Sequence, residues 1–352
     1  MPETLRRTFF KNVDLSDPFF DSLKNQYEEF PDWFARKAEE PVYVIDSDEE
    51  GRIRGFIYLK VEEGEIADVE PTLPAARRIK VGTLKIDAHG TKLGERVIKK
   101  IFDHALDQDV EEVYVTVFSD HESLIRLFKR YGFNEHGVKE TANGKEIVLV
   151  RNLDQPEYDI IKDYPLINVE DARFYLLVIY PDYHTKLFPD SILRNERHHI
   201  VEDVSHTNTI HKIYIAELAL TRLKHGDVVI IYRTTDIPGR ARYRSVVTSI
   251  CVVEETKTRK DFATVEAFIE YARPHSVFTE DELRDWYSDP AKRLFAVKMT
   301  YNAALPRRPI RDVLLNEVQI SEQPRWDLRG ITRHQFDKIA ELSELNELLI
   351  ME

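Results

Sequence analysis

The chain has 352 residues, with 50 Lys and Arg against 63 Asp and Glu and a net charge of −13. That length is about twice an ordinary domain of ~100–200 residues, so two domains are expected, and the acidic balance excludes a protein whose whole surface coats nucleic acid. No apolar run approaches the ~18 residues of a bilayer-crossing helix, the opening MPETLRRTFFKN lacks the apolar stretch of a secretory signal, and the single cysteine, Cys251, lies in the apolar run SVVTSICVV; a core thiol and a reducing, cytoplasmic setting are the expectation.

In chain order, DPFFDSLKNQYEEFPDWFARKAEE carries Phe20, Leu23, Tyr27, Phe30 and Phe34 at helical spacing, bent at Pro31. PVYVID, RIRGFIYLKVE and RRIKVGTLKID follow as strands. In the last of these, Ile79 and Val81 share one parity whereas Leu84 and Ile86 hold the other. One extra residue near Gly82-Thr83 restores the alternation, the footprint of a β-bulge that bends a strand away from its neighbour; a strand buried on both faces is the alternative. A turn with Gly90 and Gly94 leads into the helix LGERVIKKIFDHAL, apolar along Leu93, Val97, Ile98, Ile101, Phe102 and Ala105. The unpaired amides and dipole at such a helix start would stabilise a pyrophosphate, and Lys92 adds a full charge; many strand–helix turns use glycine only for backbone freedom. The strand EVYVTVF and the helix HESLIRLFKRYGF come next, Ser119 and Glu122 standing at capping-box spacing with His121 in the first turn. A hairpin around Ala142-Asn143-Gly144 returns through GKEIVLVRNL. Residues 1–153 thus read as one compact α/β domain.

From 154 to 171 the periodicity is interrupted by Pro156, Asp159, Asp163 and Pro165, which marks a linker. Residues 172–352 are strand-rich: RFYLLVIY, HKIYIAELAL, DVVIIYR, YRSVVTSICVVEE and RLFAVKMT, with short helices between them and TRHQFDKIAELSELNELLI closing the chain. This pattern predicts a small closed or half-closed β-barrel with peripheral helices, so the whole chain is α/β (α+β). Basic residues concentrate at Lys292, Arg293, Lys298, Arg307, Arg308 and Arg311 and at Arg233, Arg240, Arg242 and Arg244, local patches on an acidic body or simply a solvated basic surface. His198, His199, His206 and His211 lack the ligand spacing of a metal site, and no metal is expected.

The bulged strand, glycine turn, amphipathic helix, strand and helix ending in YGF, with the signals LGERVI and LFKRYGF, resemble the GNAT superfamily of N-acetyltransferases over about residues 5–153. The resemblance implies that the bulge splays two parallel strands, that acetyl-CoA enters the gap along Leu84, Lys85 and Ile86, and that its pyrophosphate rests on the following turn, His89, Gly90, Thr91, Lys92, Leu93, Gly94 and Glu95. The family's turn motif, Q/RxxGxG/A, falls on His89–Gly94, where His89 replaces Gln or Arg and Lys92 replaces the first motif glycine. Where many members carry a proton-donating tyrosine, this chain has Phe128, and where they carry asparagine it has His121. A phenyl ring cannot donate a proton, so His121 and Tyr131 are the candidate acids, with Asp87, His89 and Asp120 as candidate bases.

The run HKIYIAELALTRLKHGDVVIIYRT followed by YRSVVTSICVVEE resembles the PUA-like superfamily, which includes ASCH and EVE domains, over about residues 172–340. That likeness implies a polar cleft and makes RNA, tRNA included, a candidate partner. A base-binding cleft needs aromatic platforms, edge-reading polar groups and cations; Tyr214, Tyr232 and Trp286, then Asn208 and His211, then Lys212, Arg233, Arg242 and Arg244 are the candidates. The reading that joins both halves is an acetyl-CoA-dependent N-acetyltransferase whose second domain selects the acceptor. A degenerate or acyl-CoA-holding first domain on a nucleic-acid binder, and acetylation of a protein or small amine, are the alternatives.

Overall fold

The computed structural model describes residues 3–47, 52–87, 92–191, 208–323 and 326–351. The chain divides into two compact units, with the break between Asp163 and Tyr164. Each is built on its own sheet.

The first unit contains β1 (Glu3–Phe9), α1 (Asp21–Gln26), α2 (Phe30–Arg36), β2 (Pro41–Ser47), β3 (Ile53–Ile66), β4 (Leu73–Ile86), α3 (Leu93–Asp107), β5 (Glu112–Phe118), α4 (Glu122–Arg130), β6 (Asn134–Thr141) and β7 (Gly144–Asn152). The seven strands are ordered β1-β2-β3-β4-β5-β7-β6, and the pair β4 and β5 runs parallel while the others are antiparallel. Strand alternation assigns the faces. Val42, Val44, Phe56 and Tyr58 lie under α1 and α2 in one cluster with Phe10, Phe20, Phe30 and Phe34, whose rings meet mostly edge to face at 4.8–6.3 Å. On the opposite parity, the Tyr43 hydroxyl meets His104 Nδ1 of α3 at 3.2 Å. The apolar stripe of α3, Leu93, Val97, Ile98, Ile101, Phe102 and Ala105, is fully buried. Such burial, at roughly 1.5–3 kcal/mol per large side chain, is what holds an amphipathic helix to its sheet.

Residues 154–163 pack onto this unit. The Asp163 carboxylate accepts from the backbone amides of Glu157 (2.8 Å) and Asp159 (2.9 Å) and pairs with buried Arg151 at 3.3 Å.

The second unit holds β8 (Ile167–Asn168), β9 (Phe174–Ile179), α5 (Pro181–Leu187), β10 (His211–Ala216), β11 (Val228–Arg233), α6 (Ala241–Arg244), β12 (Val246–Thr258), α7 (Val265–Ala272), α8 (Glu280–Ser288), β13 (Phe295–Ala304), α9 (Arg311–Asn316), β14 (Leu328–Ile331), α10 (Arg333–Leu342) and β15 (Ile350–Met351). Its six-stranded sheet has the order β10-β13-β12-β11-β9-β14, and β15 pairs with β8. Among the described residues no pairing joins β10 to β14, so the sheet stays open where a closed barrel is one of the expected forms. The run SVVTSICVV is the centre of β12, and Cys251 is fully buried there, its thiol raised well above its ordinary range by burial. Thr279 and Thr332 cap α8 and α10 in capping boxes with Glu282 and Gln335. No described helix is long and apolar enough to cross a membrane.

Candidate active site

The phase error in RIKVGTLKID becomes a bulge. Against β3, Thr83 lies opposite Tyr58 and Val81 opposite Leu59, which leaves Gly82 as the extra residue. Ile79, Val81, Leu84 and Ile86 therefore share one face, as the alternation predicts. Gly82 is required by its neighbour: a Cβ there would stand 2.7 Å from Cδ1 of Tyr58, a ring already wedged among Phe10, Trp33 and the Lys37 ammonium.

The bulge has a second consequence. β4 pairs with β5 only from Arg78↔Glu112 to Val81↔Val115. Beyond that level β4 continues to Ile86 bonded to β3, and β5 continues to Phe118 bonded to β7. The two parallel strands part at Gly82, and the facing edges of 82–86 and 116–118 carry no ladder between them. Unpaired strand edges present rows of amide and carbonyl groups to whatever enters.

At the open end stands the start of α3. Its N-cap, Lys92, makes no side-chain cap, so the amides of Leu93, Gly94 and Glu95 have no intrahelical acceptor and no cap from that residue. Gly94 serves helix packing, since a Cβ there would lie 2.9 Å from Leu127 of α4. Glu95 is 7% exposed, and the Lys92 ammonium lies 3.6 Å from its Oε1. The lysine expected to meet a diphosphate is thus turned at least partly toward its own helix. His89, Gly90 and Thr91 lie outside the described residues.

Among the other expected residues, Leu84 and Ile86 line the parted arm, half-buried. The Lys85 ammonium donates to the Phe19 carbonyl and Ser22 hydroxyl, and burial lowers its pKa. Asp87 closes β4, its amide bonded to Arg54 O at 2.8 Å and its carboxylate 3.3 Å from the Arg54 guanidinium. His121 is exposed as the N-cap of α4. The expected capping box does not form: α4 begins at Glu122, one residue past His121, and the His121 amide is spent on Phe118 O at 3.1 Å. Tyr131 and Phe128 are fully buried, Phe128 packing edge to face on Phe133 at 4.8 Å.

A further group sits on one face of β5 and β7. The Tyr27 hydroxyl, in the corner between α1 and α2, donates to Glu146 Oε1 at 3.5 Å, and its ring lies 5.7 Å from that of Phe118. Glu146 pairs with Phe118 across the ladder and is 7% exposed. Burial first, then the carboxylates of Glu146, Glu29 and Asp120, keep the Tyr27 hydroxyl protonated far above its ordinary range. One signal was available: Glu146 shares parity with Val148 and Val150, so an acid stands in an apolar row.

In the second unit the expected nucleic-acid residues do not form an open cationic face. Lys212 is fully buried, its ammonium 5.2 Å from the centre of the Tyr301 ring. Tyr232 and Arg233 are each 1% exposed. Arg242 pairs with Asp312 and Arg244 with Asp236. Beside Lys212 runs a buried hydroxyl chain: Tyr301 to Ser191 at 2.7 Å, Ser191 to Ser249 at 2.9 Å, Ser249 to Thr248 at 3.2 Å, and Thr248 Oγ1 to His184 Nε2 at 2.8 Å.

Comparison with known proteins gives matches over parts of the chain. The model of the acetyltransferase (GNAT) family matches residues 7–133. No curated protein matches. A GNAT family acetyltransferase from Elizabethkingia anophelis, solved with acetyl-CoA bound, aligns over 43% of this chain and 99% of its own at 12% identity and a TM-score of 0.33. The NatC complex bound to Gag peptide and CoA aligns over 44% of this chain and 99% of that chain at 14% identity and a TM-score of 0.32. ASCH from Zymomonas mobilis aligns over 48% of this chain and 94% of its own at 13% identity and a TM-score of 0.32.

Proposed function

We propose that the N-terminal unit transfers the acetyl group of acetyl-CoA to an amine. The observation that carries this reading is the parting of β4 from β5 at Gly82 beside the start of α3, whose N-cap side chain makes no cap, within a segment that matches the acetyltransferase (GNAT) family. The pantetheine arm of CoA has two amide groups, which pair with an open strand edge as a further strand would. Its diphosphate gains from bare helix amides and the dipole behind them. An amine attacking the thioester needs orientation and donors for the developing oxyanion more than a strong base; the open edge of β4 supplies such donors. His121, exposed beyond the end of β5, is the proton donor to the leaving thiolate in this reading. Asp87, engaged by Arg54, makes the weaker base.

The second unit takes the role of selecting the acceptor by analogy of fold alone. Its candidate cations are buried or paired with acids, which favours an acceptor other than RNA. Calorimetric titration of the full chain with acetyl-CoA tests the proposal. One site per chain is expected; no heat at millimolar acetyl-CoA would leave a degenerate domain that holds no cofactor.

A further inference from the structure

Two arginines of the second unit stand together without an acid. The Arg311 guanidinium lies 4.4 Å from the centre of the Trp326 ring, and that of Arg329 lies 5.2 Å from the same centre. Their neighbours are paired: Arg242 with Asp312, Arg244 with Asp236, Arg307 with Glu344 and Arg333 with Asp337. Among the described residues no Asp or Glu pairs with Arg311 or Arg329. Each instead donates through one nitrogen to a neutral oxygen, Arg311 to Gln323 O at 3.1 Å and Arg329 to the Ser321 hydroxyl. Burial first, then the charge of Arg311, lowers the Arg329 pKa, so the two cations oppose each other.

The fold gathers further donors here. Arg329 lies opposite Leu176 on β9 and Tyr232 opposite Val178 on the same strand, so by alternation both rise from one face of the sheet. The Arg311 amide bonds to Ser245 O at 2.9 Å, and the Tyr232 hydroxyl sits beside Ser245 and the Arg311 guanidinium. The Tyr232 and Trp326 rings meet at 5.1 Å. Tyr232 is 1% exposed and Trp326 6%, yet Tyr232 Oη, Trp326 Nε1 and Arg329 Nη1 are buried with no hydrogen-bond partner among the described residues. Enclosed donors left unmet cost stability, and a fold keeps several together where an acceptor arrives from outside.

The group that would satisfy them is rich in acceptors and negative charge. Two guanidiniums call for a dianion, and donors on different sides call for oxygens on different sides, which a tetrahedral phosphate has and a planar carboxylate lacks. A nucleic-acid strand fits less well. Its phosphodiesters carry one charge each, and both guanidiniums already occupy the Trp326 ring on which a base would stack.

We propose that the second unit holds a phosphate dianion, free or as the monoester of a small molecule, between Arg311 and Arg329, with the Tyr232 hydroxyl as a neutral donor. This site does not depend on the acyl-transfer reading.

The test titrates the full chain by calorimetry, at fixed ionic strength, with inorganic phosphate, glycerol 1-phosphate, acetate and a short single-stranded RNA. One saturable site for phosphate or for the monoester is expected, at least about tenfold tighter than acetate; the tighter of the two tells whether the ligand is the free ion or an ester. Arg311→Gln and Arg329→Gln should each weaken it about tenfold or more, whereas Arg240→Gln, at an exposed arginine, should leave it unchanged. In the wild-type chain phosphate should also protect Arg311 and Arg329, but not Arg240, from phenylglyoxal, read by peptide mass mapping; this arm needs no variant to fold. No saturable binding of phosphate or monoester at millimolar concentration, equal affinity for acetate, tighter binding of RNA than of either phosphate, unchanged affinity in either folded variant, or failure to protect either arginine would each overturn the proposal.

Discussion

His184 shows how far one residue's surroundings can move its chemistry. It is fully buried, its Nε2 meets Thr248, and its Nδ1 has no hydrogen-bond partner among the described residues. Burial first, then the nearby Arg233 and Arg308 cations, lower its pKa from 6.5 to about 3. Between those values the unfolded chain binds a proton that the folded chain refuses, so stability rises with pH across that window and falls on acidification below about 6.5. The expected outcome is a loss from this group of up to about 1.4 kcal/mol per pH unit as pH drops from 6 to 4. Urea unfolding at several pH values checks it, with His184→Gln flattening that limb; identical acid limbs in both proteins would contradict the account. At this scale the sequence was uneven. Gly82 could be read because a parity error is local, and the bulge it forms is there. Glu146 was passed over because its partner, the Tyr27 hydroxyl, comes from a residue distant in the chain, which spacing cannot show.

Elements were more legible than residues. The order of elements from β2 onward in the first unit, the bulge in β4 and the apolar stripe of α3 follow from alternation and helical periodicity, which burial enforces along each segment. By contrast β1 was not read, and the single helix expected to bend at Pro31 is two helices, α1 and α2, that part before it. The ends of elements were less clear. Ser119 and Glu122 have the spacing of a capping box, but the chain turns one residue later and His121 becomes the N-cap. In α4, Phe128 occupies the position where the family resemblance implies a tyrosine, and the packing shows why introducing the hydroxyl is not expected to help. The side chain is fully enclosed with Phe133 against it. Phe128→Tyr would bury an unpartnered hydroxyl or push the ring outward, at a cost of about 1–3 kcal/mol. The predicted result is lower thermal stability and a kcat within twofold of the wild type; a gain in kcat of tenfold would show that this face of α4 does reach the leaving group. In the second unit, by contrast, the strands were visible but their closure was not, because no local signal states whether the first and last strands of a sheet meet.

Across the whole molecule, the net charge of −13 sets the terms for recognition. The basic residues that break it up are largely committed within the fold: Arg151 to Asp163, Lys298 to Glu254 at 2.9 Å, Arg307 to Glu344 at 3.0 Å. An acidic body attracts small cations and repels polyanions, which is the reverse of what a nucleic-acid binder needs. Composition alone indicated that tendency, and the local basic clusters obscured it until their partners were seen. The central claim is nevertheless more specific than charge: the space beside Gly82 is where the thioester goes. A crystal structure of the full chain with acetyl-CoA measures this most directly. The account predicts pantetheine lying between residues 82–86 of β4 and 116–118 of β5, with the diphosphate at the first turn of α3; a cofactor bound elsewhere, or a slot filled by the protein's own side chains while acetyl-CoA is present, would contradict it.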